Sequence, residues 1–385
     1  MPEKSHQVYL KSGLCYEDQP ALDAAVEQLF ALCPGAARLG PASRVLLKPN
    51  LLARHPPEHG VTTHPAVVRA VAAALHRRGV TEITLADSCG GLYTEGGMRS
   101  LYRTSGLAGV CGECGIRLWD KTTSAPRKTD GALLHEFNLI TPLHECDFFI
   151  DLPKFKTHVM TGMTCAVKNL FGCIPGLEKA EMHMRFPDKA RFGQMLCDLA
   201  GAVAPDLVVV DGILGMEGDG PAGGSPRALG LLLGGEDPWT VDLAAAALMG
   251  LAPARVPYLA AGIGGGVCPA AFDAALLAAG SDPLTPIADW KLSDSYASIA
   301  FKDRFPAGLR WASPLVTRLT APRPVVDRAR CIGCGKCAEI CPGRTIRVEG
   351  GKAHIDPSGC IRCFCCHEMC PARAIRVRRL SVFSH

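Results

Sequence analysis

The chain has 385 residues and a formal net charge of +4, too small a balance to argue nucleic-acid binding from the total. Its 48% hydrophobic and 20% charged content is an ordinary globular mix, and its length leaves room for two or three domains. Of its 19 cysteines, eight sit in two runs near the C-terminus and the rest are scattered singly apart from Cys111 and Cys114. That usage suits a reducing compartment, most simply a cytoplasm, rather than a disulfide scaffold. The opening residues, Met1 to His6, contain no apolar core of a signal peptide, so none is expected.

In chain order, Ala21 to Leu32 predicts a helix. Arg44 to Lys48 is a short apolar run of the buried parallel-strand type, ended by Pro49. Pro65 opens a helix through Arg78, with Gly79 as its stop. Glu82 to Ala86 predicts a second strand, followed by Asp87 and Ser88. Strand, helix and strand, with polar residues where each strand ends, is the grammar of an open, mostly parallel α/β sheet. Further strands are expected at Ile116–Trp119, Asp147–Leu152, Leu207–Val210 and Leu229–Leu233. Helices are expected at Gly162–Phe171 and Pro238–Met249, stopped by Gly172 and Gly250. The most apolar stretch, Tyr258 to Gly280, carries Pro269, Asp273 and five glycines and predicts loop plus helix, not a membrane span. Residues 291–325, aromatic, basic and rich in proline, are expected to form a linker arm. The expected division is therefore an α/β domain over 1–290, the arm, and a C-terminal module over 326–385.

That module carries the strongest pattern. Cys331, Cys334, Cys337 and Cys341-Pro342 repeat as Cys360, Cys363, Cys366 and Cys370-Pro371, each the run C-x2-C-x2-C-x3-C-P. Three thiolates on one tight loop cap three corners of a cubane cluster, while the fourth cysteine leads away and ligates the other cluster. Two 4Fe–4S clusters are expected, one on Cys331, Cys334, Cys337 and Cys370, the other on Cys360, Cys363, Cys366 and Cys341. Zinc asks for four ligands in one tetrahedron and gives no reason for the repeated triple. Gly333 and Gly335 let the backbone fold round a cluster. Here the chain resembles a two-cluster bacterial-type ferredoxin, a small α+β module. Cys365 is a ninth cysteine without a slot in that pattern.

In open α/β sheets ligands sit at the carboxyl ends of the strands. Falling there are Lys48 and Asn50; Asp87 and Ser88; Lys154, Lys156, Thr157 and His158; then Asp211 and Glu217. Residues 154–191 hold seven Lys or Arg against three acids, interleaved with Phe155, Met163, Leu170 and Phe171, which would bury the segment. Buried lysines ask for an anion such as phosphate, carboxylate or an acidic partner, although a solvated basic face is the plainer account. Were residues 161–171 helical, Thr161, Thr164 and Lys168 would share a face.

At these residues the chain is similar to a known family. Lys48-Pro-Asn-Leu51, the Thr-His-Pro at 63–65, Lys154-Phe-Lys-Thr-His158, Met163 to Gly172, Val210 to Ile213, Met216 to Pro221 and Asp237 to Gly250 resemble the domain of unknown function 362 family. Joined as here to a two-cluster ferredoxin module, the resemblance implies an iron–sulfur protein with a redox role. Cys89 departs from it, standing where a proline is expected after Asp87-Ser88.

The combined expectation is an oxidoreductase that passes electrons from two 4Fe–4S clusters to an anionic small molecule in a Lys- and His-lined cleft. Lys48, Asn50, Asp87, Ser88, Lys154 and Asn169 would bind it; Lys156, His158, Lys168, His183 and Glu217 would serve the chemistry. One alternative is a non-enzymatic electron-transfer or cluster-carrier protein that docks an acidic, low-potential redox partner through Arg373, Arg376, Arg378 and Arg379. Another is a hydrolase- or ligase-type α/β enzyme with structural clusters. His64 is either a ligand or acid, or a loop cap. Cys111 and Cys114 lack a second pair and predict plain loop thiols, and Gly262 to Gly266 lacks the strand and acid of a dinucleotide fingerprint.

Overall fold

A computed structural model describes residues 4–293 and 322–378. The first part runs β1 (Val8–Lys11), α1 (Gln19–Leu32), β2 (Arg44–Pro49), α2 (Pro65–Arg77), β3 (Glu82–Leu85), α3 (Glu95–Thr104), α4 (Leu107–Glu113) and β4 (Arg117–Leu118). A hairpin of β5 (Ser124–Lys128) and β6 (Glu136–Ile140) and a single turn, α5 (Pro142–Glu145), lead to β7 (Phe148–Leu152), β8 (Lys154–His158) and β9 (Gly162–Thr164). Then come α6 (Ala166–Asn169), α7 (Glu178–Arg185), α8 (Lys189–Val203), β10 (Leu207–Glu217), β11 (Ser225–Gly235), α9 (Pro238–Leu248) and α10 (Pro257–Gly264).

Among the described residues, nine strands form one sheet in the order β1-β11-β10-β7-β2-β3-β4, with β8 pairing β10 and β9 off that path. The pairs from β10 through β4 are parallel, and β1 and β11 add an antiparallel edge. The central strands are buried on both faces. In β2, Val45 and Leu47 enter the core that covers α1 and α2, whereas Leu46 enters the core that holds α8, α9 and α10. Such two-sided burial explains why these strands are apolar runs rather than alternating ones. Asp237 caps α9 by accepting from the Trp239 and Thr240 amides, with Pro238 in its first turn.

Several expectations are corrected. Residues 162–171 are not one helix: 162–164 pair with β8 as β9, and only 166–169 are α-helical. The turn after His158 sends the chain back antiparallel, with Gly162 at φ +82°. Thr161, Thr164 and Lys168 therefore share no helix face. Lys154 to His158 is a strand rather than a loop, because Pro153 ends the pairing with β2 while pairing with β10 goes on. β10 is 11 residues long, so Asp211 and Glu217 lie within it.

The C-terminal part pairs β12 (Arg323–Val326) with β15 (Ile375–Arg378), and β13 (Ile346–Glu349) with β14 (Lys352–Ile355). The last residues expected in the linker arm are thus a strand of the module, and most of that arm lies outside the described residues. One-turn helices α11 (Lys336–Glu339) and α12 (Cys365–Glu368) follow the paired loops. The internal repeat extends to the backbone. Left-handed conformations recur at Gly333 and Arg362, Gly335 and Phe364, and Arg344 and Arg373. Glycine supplies two of these in the first half and none in the second.

Candidate functional site

The order β3-β2-β7-β10 makes the seam between β2 and β7 the point where the sheet changes direction of growth, the place such folds keep their crevice. Beyond Leu152, β8 stays with β10 and leaves β2, so Lys48 and Asn50 face Lys156 and His158 across a fork. A cavity of about 80 Å³ lies there.

Its walls carry charged side chains that are themselves buried. Lys48 Nζ is 3.1 Å from Asp87 Oδ1, and Asp87 also accepts from the Leu51 and Ser88 amides. Burial works against the Lys48 charge, but Asp87, Cys173 and Asp151 together outweigh it and hold the ammonium above the usual lysine range. Gly172 is required beside this pair, since a Cβ there would strike Asp87 and Lys48. Lys156 Nζ donates to Asn50 Oδ1 and Val61 O, both at 2.7 Å. Burial, reinforced by Lys154, brings it down to about 7. Asn50 in turn donates to Asn169 Oδ1, and Asn169 donates to Asp151, whose carboxyl burial pushes well up. Lys179 Nζ donates to Ser88 Oγ at 2.7 Å and to Ile174 O at 2.6 Å; burial lowers it to about 8. Lys168 lies over the Phe171 ring at 4.5 Å.

Two histidines complete the lining. His158 Nδ1 accepts from the Met160 and Thr161 amides, which leaves Nε2 carrying the proton. That Nε2 is 3.2 Å from Glu368 Oε1, without the alignment of a hydrogen bond. His183 stacks on Phe192 with centroids 4.4 Å apart, and its Nδ1 has no partner among the described residues. Burial holds it at about 3, so near neutrality it is an uncharged hydrogen-bonding group and not an acid.

Glu368 belongs to the C-terminal module, which forms the roof together with Ile340, Cys365 and Met369. Burial would raise the Glu368 carboxyl, but His158, Lys168 and His183 outweigh it and hold it at about 2. The module is fastened by Leu92 N donating to Glu339 Oε1 at 3.0 Å and by His367 Nε2 meeting Asp219 O at 3.0 Å. The Cys365 thiol is also in the roof, two residues along the chain from Cys363.

Within the module, Cys331, Cys334, Cys337 and Cys370 ring one small cavity, and Cys341, Cys360, Cys363 and Cys366 ring another. Amides point at three of the sulfurs: Ala374 N at Cys370 (3.2 Å), Ala353 N at Cys331 and Thr345 N at Cys341 (both 3.4 Å). Thiols spaced round a void, with amide donors behind them, fit a cubane cluster. Cys334 is exposed beside Ile332, whereas Cys366 is buried in the module's own core.

Of the residues expected in the cleft, Lys48, Asn50, Asp87, Ser88, Lys156, His158, Lys168, Asn169 and His183 line this one cavity. Lys154 and Glu217 do not. Lys154 Nζ is held 2.6 Å from Asp211 and 2.8 Å from Tyr16 OH, farther back along β8. Glu217 is gripped by Arg227 of the neighbouring strand at 2.8 Å. His64 Nδ1 accepts from Ala66 N, the loop-cap role. Cys111 lies in α4 and Cys114 caps it, so neither is a loop thiol. Thr164, Lys179, Cys365 and Glu368 were not expected in the cleft, although Thr164 was expected to share a face with Lys168, Lys179 lies in the basic stretch 154–191 and Cys365 was the cysteine with no slot.

These features define an open α/β domain roofed by an iron–sulfur module. Residues 45–247 match the domain of unknown function family DUF362, and residues 323–371 match the 4Fe-4S dicluster domain. A thylakoid-associated protein of Synechocystis, sll1697, is 36% identical over 263 residues, 68% of this chain and 79% of the relative. The chain belongs to the DUF362 family and is an iron–sulfur protein with a ferredoxin-type module. A crystal structure from Thermotoga maritima aligns with 57% of this chain and 55% of its own, at 15% identity and TM-score 0.32. Among the described residues no helix is long and apolar enough to cross a membrane.

Proposed function

We propose that this protein is an oxidoreductase of a reducing, cytoplasmic compartment that transfers electrons between two 4Fe–4S clusters and a small anion in the roofed cavity. The observation that carries this reading is the shared wall: Cys365, between the cysteines Cys363 and Cys366 of one thiol ring, faces the same cavity as Lys48, Lys156 and Lys168. Bound clusters, on Cys331, Cys334, Cys337 and Cys370 and on Cys341, Cys360, Cys363 and Cys366, supply one-electron transfer and no group chemistry. The chain's own residues do the rest. Lys48 and Lys168 hold negative charge, the roof of Ile340 and Met369 excludes water, and Lys156, held at about 7, keeps or yields a proton near neutral pH.

The test is anaerobic. The protein is reduced with dithionite, freed of excess reductant, and its visible absorbance followed with and without a panel of small oxyanions. The expected result is faster reoxidation with at least one of them, slowed about 10²-fold in Lys156→Met. Equal reoxidation with and without every anion rules the reading out.

A redox protein partner fits a second observation. Arg323, Arg328, Arg362 and Arg378 line a groove that reaches Cys360. Of the other arginines expected to dock a partner, Arg376 is paired with Asp327 at 2.7 Å and Arg379 lies outside the described residues. An acidic partner seated there would lose affinity as salt rises, which a binding titration at two ionic strengths reads directly.

A further inference from the structure

Among the described residues, four groups in the cavity have hydrogen-bonding capacity that no protein atom uses: Lys168, Thr164 and His183, which can donate, and the carboxylate oxygen Glu368 Oε1, which can only accept. Lys168, on α6, is 9% exposed, yet among the described residues its ammonium makes no hydrogen bond and meets no carboxylate at ion-pair distance. It rests instead between Phe171 and Phe192, at 4.5 and 5.9 Å, whose ring faces soften a positive charge but accept no ordinary hydrogen bond. Thr164, on β9, is 4% exposed and its Oγ1 is unpartnered. His183, on α7, is 4% exposed and its Nδ1 is unpartnered. All three line the same cavity.

Their inventory decides what would complete them. Lys168 offers three donors, the Thr164 hydroxyl one and a neutral imidazole one, against Glu368 Oε1 as the one acceptor-only group, so donors are in excess. Lys48, Lys156 and Lys179 add positive potential from the other walls, which repels a cation. Water would satisfy the hydroxyl and the imidazole, but the lining sets four lysines against two carboxylates, Asp87 paired with Lys48 and Glu368 facing Lys168, and water alone leaves that positive surplus uncompensated. At about 80 Å³ the cavity suits a small ligand of a few non-hydrogen atoms. We propose that Lys168, Thr164 and His183 seat a small oxyanion of a few non-hydrogen atoms, a tetrahedral oxoanion or a short carboxylate. The proposal rests on the reading of the cavity given above and names the ligand class it takes.

Isothermal titration of the full-length, anaerobically prepared protein tests it. Sulfate and phosphate form one arm, and formate, acetate and bicarbonate the other, at constant ionic strength with chloride as the control. Saturable binding of an oxyanion from one arm, with none of chloride, is expected, and the arm that binds tells tetrahedral from planar. Lys168→Met should weaken that binding about tenfold to hundredfold, and the near-isosteric Thr164→Val by about fivefold, with iron content unchanged. If Lys168→Met does not fold, Thr164→Val decides. No saturable oxyanion binding, or binding equally tight in both variants, overturns the proposal. Reoxidation accelerated by an anion that binds equally well without Lys168 would sink this seat and leave the electron-transfer reading intact. Lys168-dependent binding without any acceleration would do the reverse.

Discussion

At the residue scale, Lys156 concentrates the chemistry. It is fully buried, held by two oxygens at 2.7 Å, and brought down to about 7 by burial and then by Lys154. In an unfolded chain a lysine titrates near ~10.4. Between about 7 and that value the unfolded state carries the extra proton, so this residue makes native stability rise with pH across the window. Below about 7 both states are protonated and the burial cost is felt in full. Lys156→Met should therefore flatten the alkaline limb of the unfolding midpoint against pH; an unchanged limb would remove Lys156 as its source. Gly172 is the other decisive residue. Its replacement by Ala drives a Cβ onto the Lys48–Asp87 pair, so that variant should lose oxyanion binding, an outcome titration reads.

At the element scale, α2 shows how the scaffold is made rigid. Val67, Val68, Val71 and Leu75 are all fully buried against the sheet. Leu75→Ala should lower stability by about 2–5 kcal/mol, measured by denaturant unfolding, while leaving the distant cysteine loops loaded with iron. β2 and β7 were legible because burial on both faces forces a largely apolar run, and α9 because Asp237 and Pro238 mark its start. The stretch 162–173 was not. Its residues suit a helix, but the pairing of Gly162 to Thr164 with β8 is long-range in origin, and strand pairing outweighed local preference. The same competition extended β10 through Asp211 and Gly212, where a polar residue followed by glycine had signalled a strand end.

At the scale of the whole molecule, the module and the α/β domain build the cavity jointly. Gly223 packs so closely on His367 that a side chain there would collide with the imidazole, so Gly223→Val should loosen the roof. Faster iron release to a chelator is the expected sign, and an unchanged rate would show that the roof does not depend on that contact. Crossed ligation has its own measurement. Iron should fall from about eight to about four per chain in either Cys370→Ser or Cys341→Ser, each sparing the cluster it does not ligate.

By itself the sequence determined what is local or periodic. Cysteine spacing places three thiolates on one loop, and strand-end lysines fall at the crevice of any parallel sheet. Only the tertiary structure decided which of those groups meet. It removed Lys154 and Glu217 to private partners, and brought Glu368 to within 3.2 Å of His158 across two domains. The reason is physical: ligand spacing is written in consecutive residues, whereas a contact between positions 158 and 368 exists only once separate hydrophobic cores have packed.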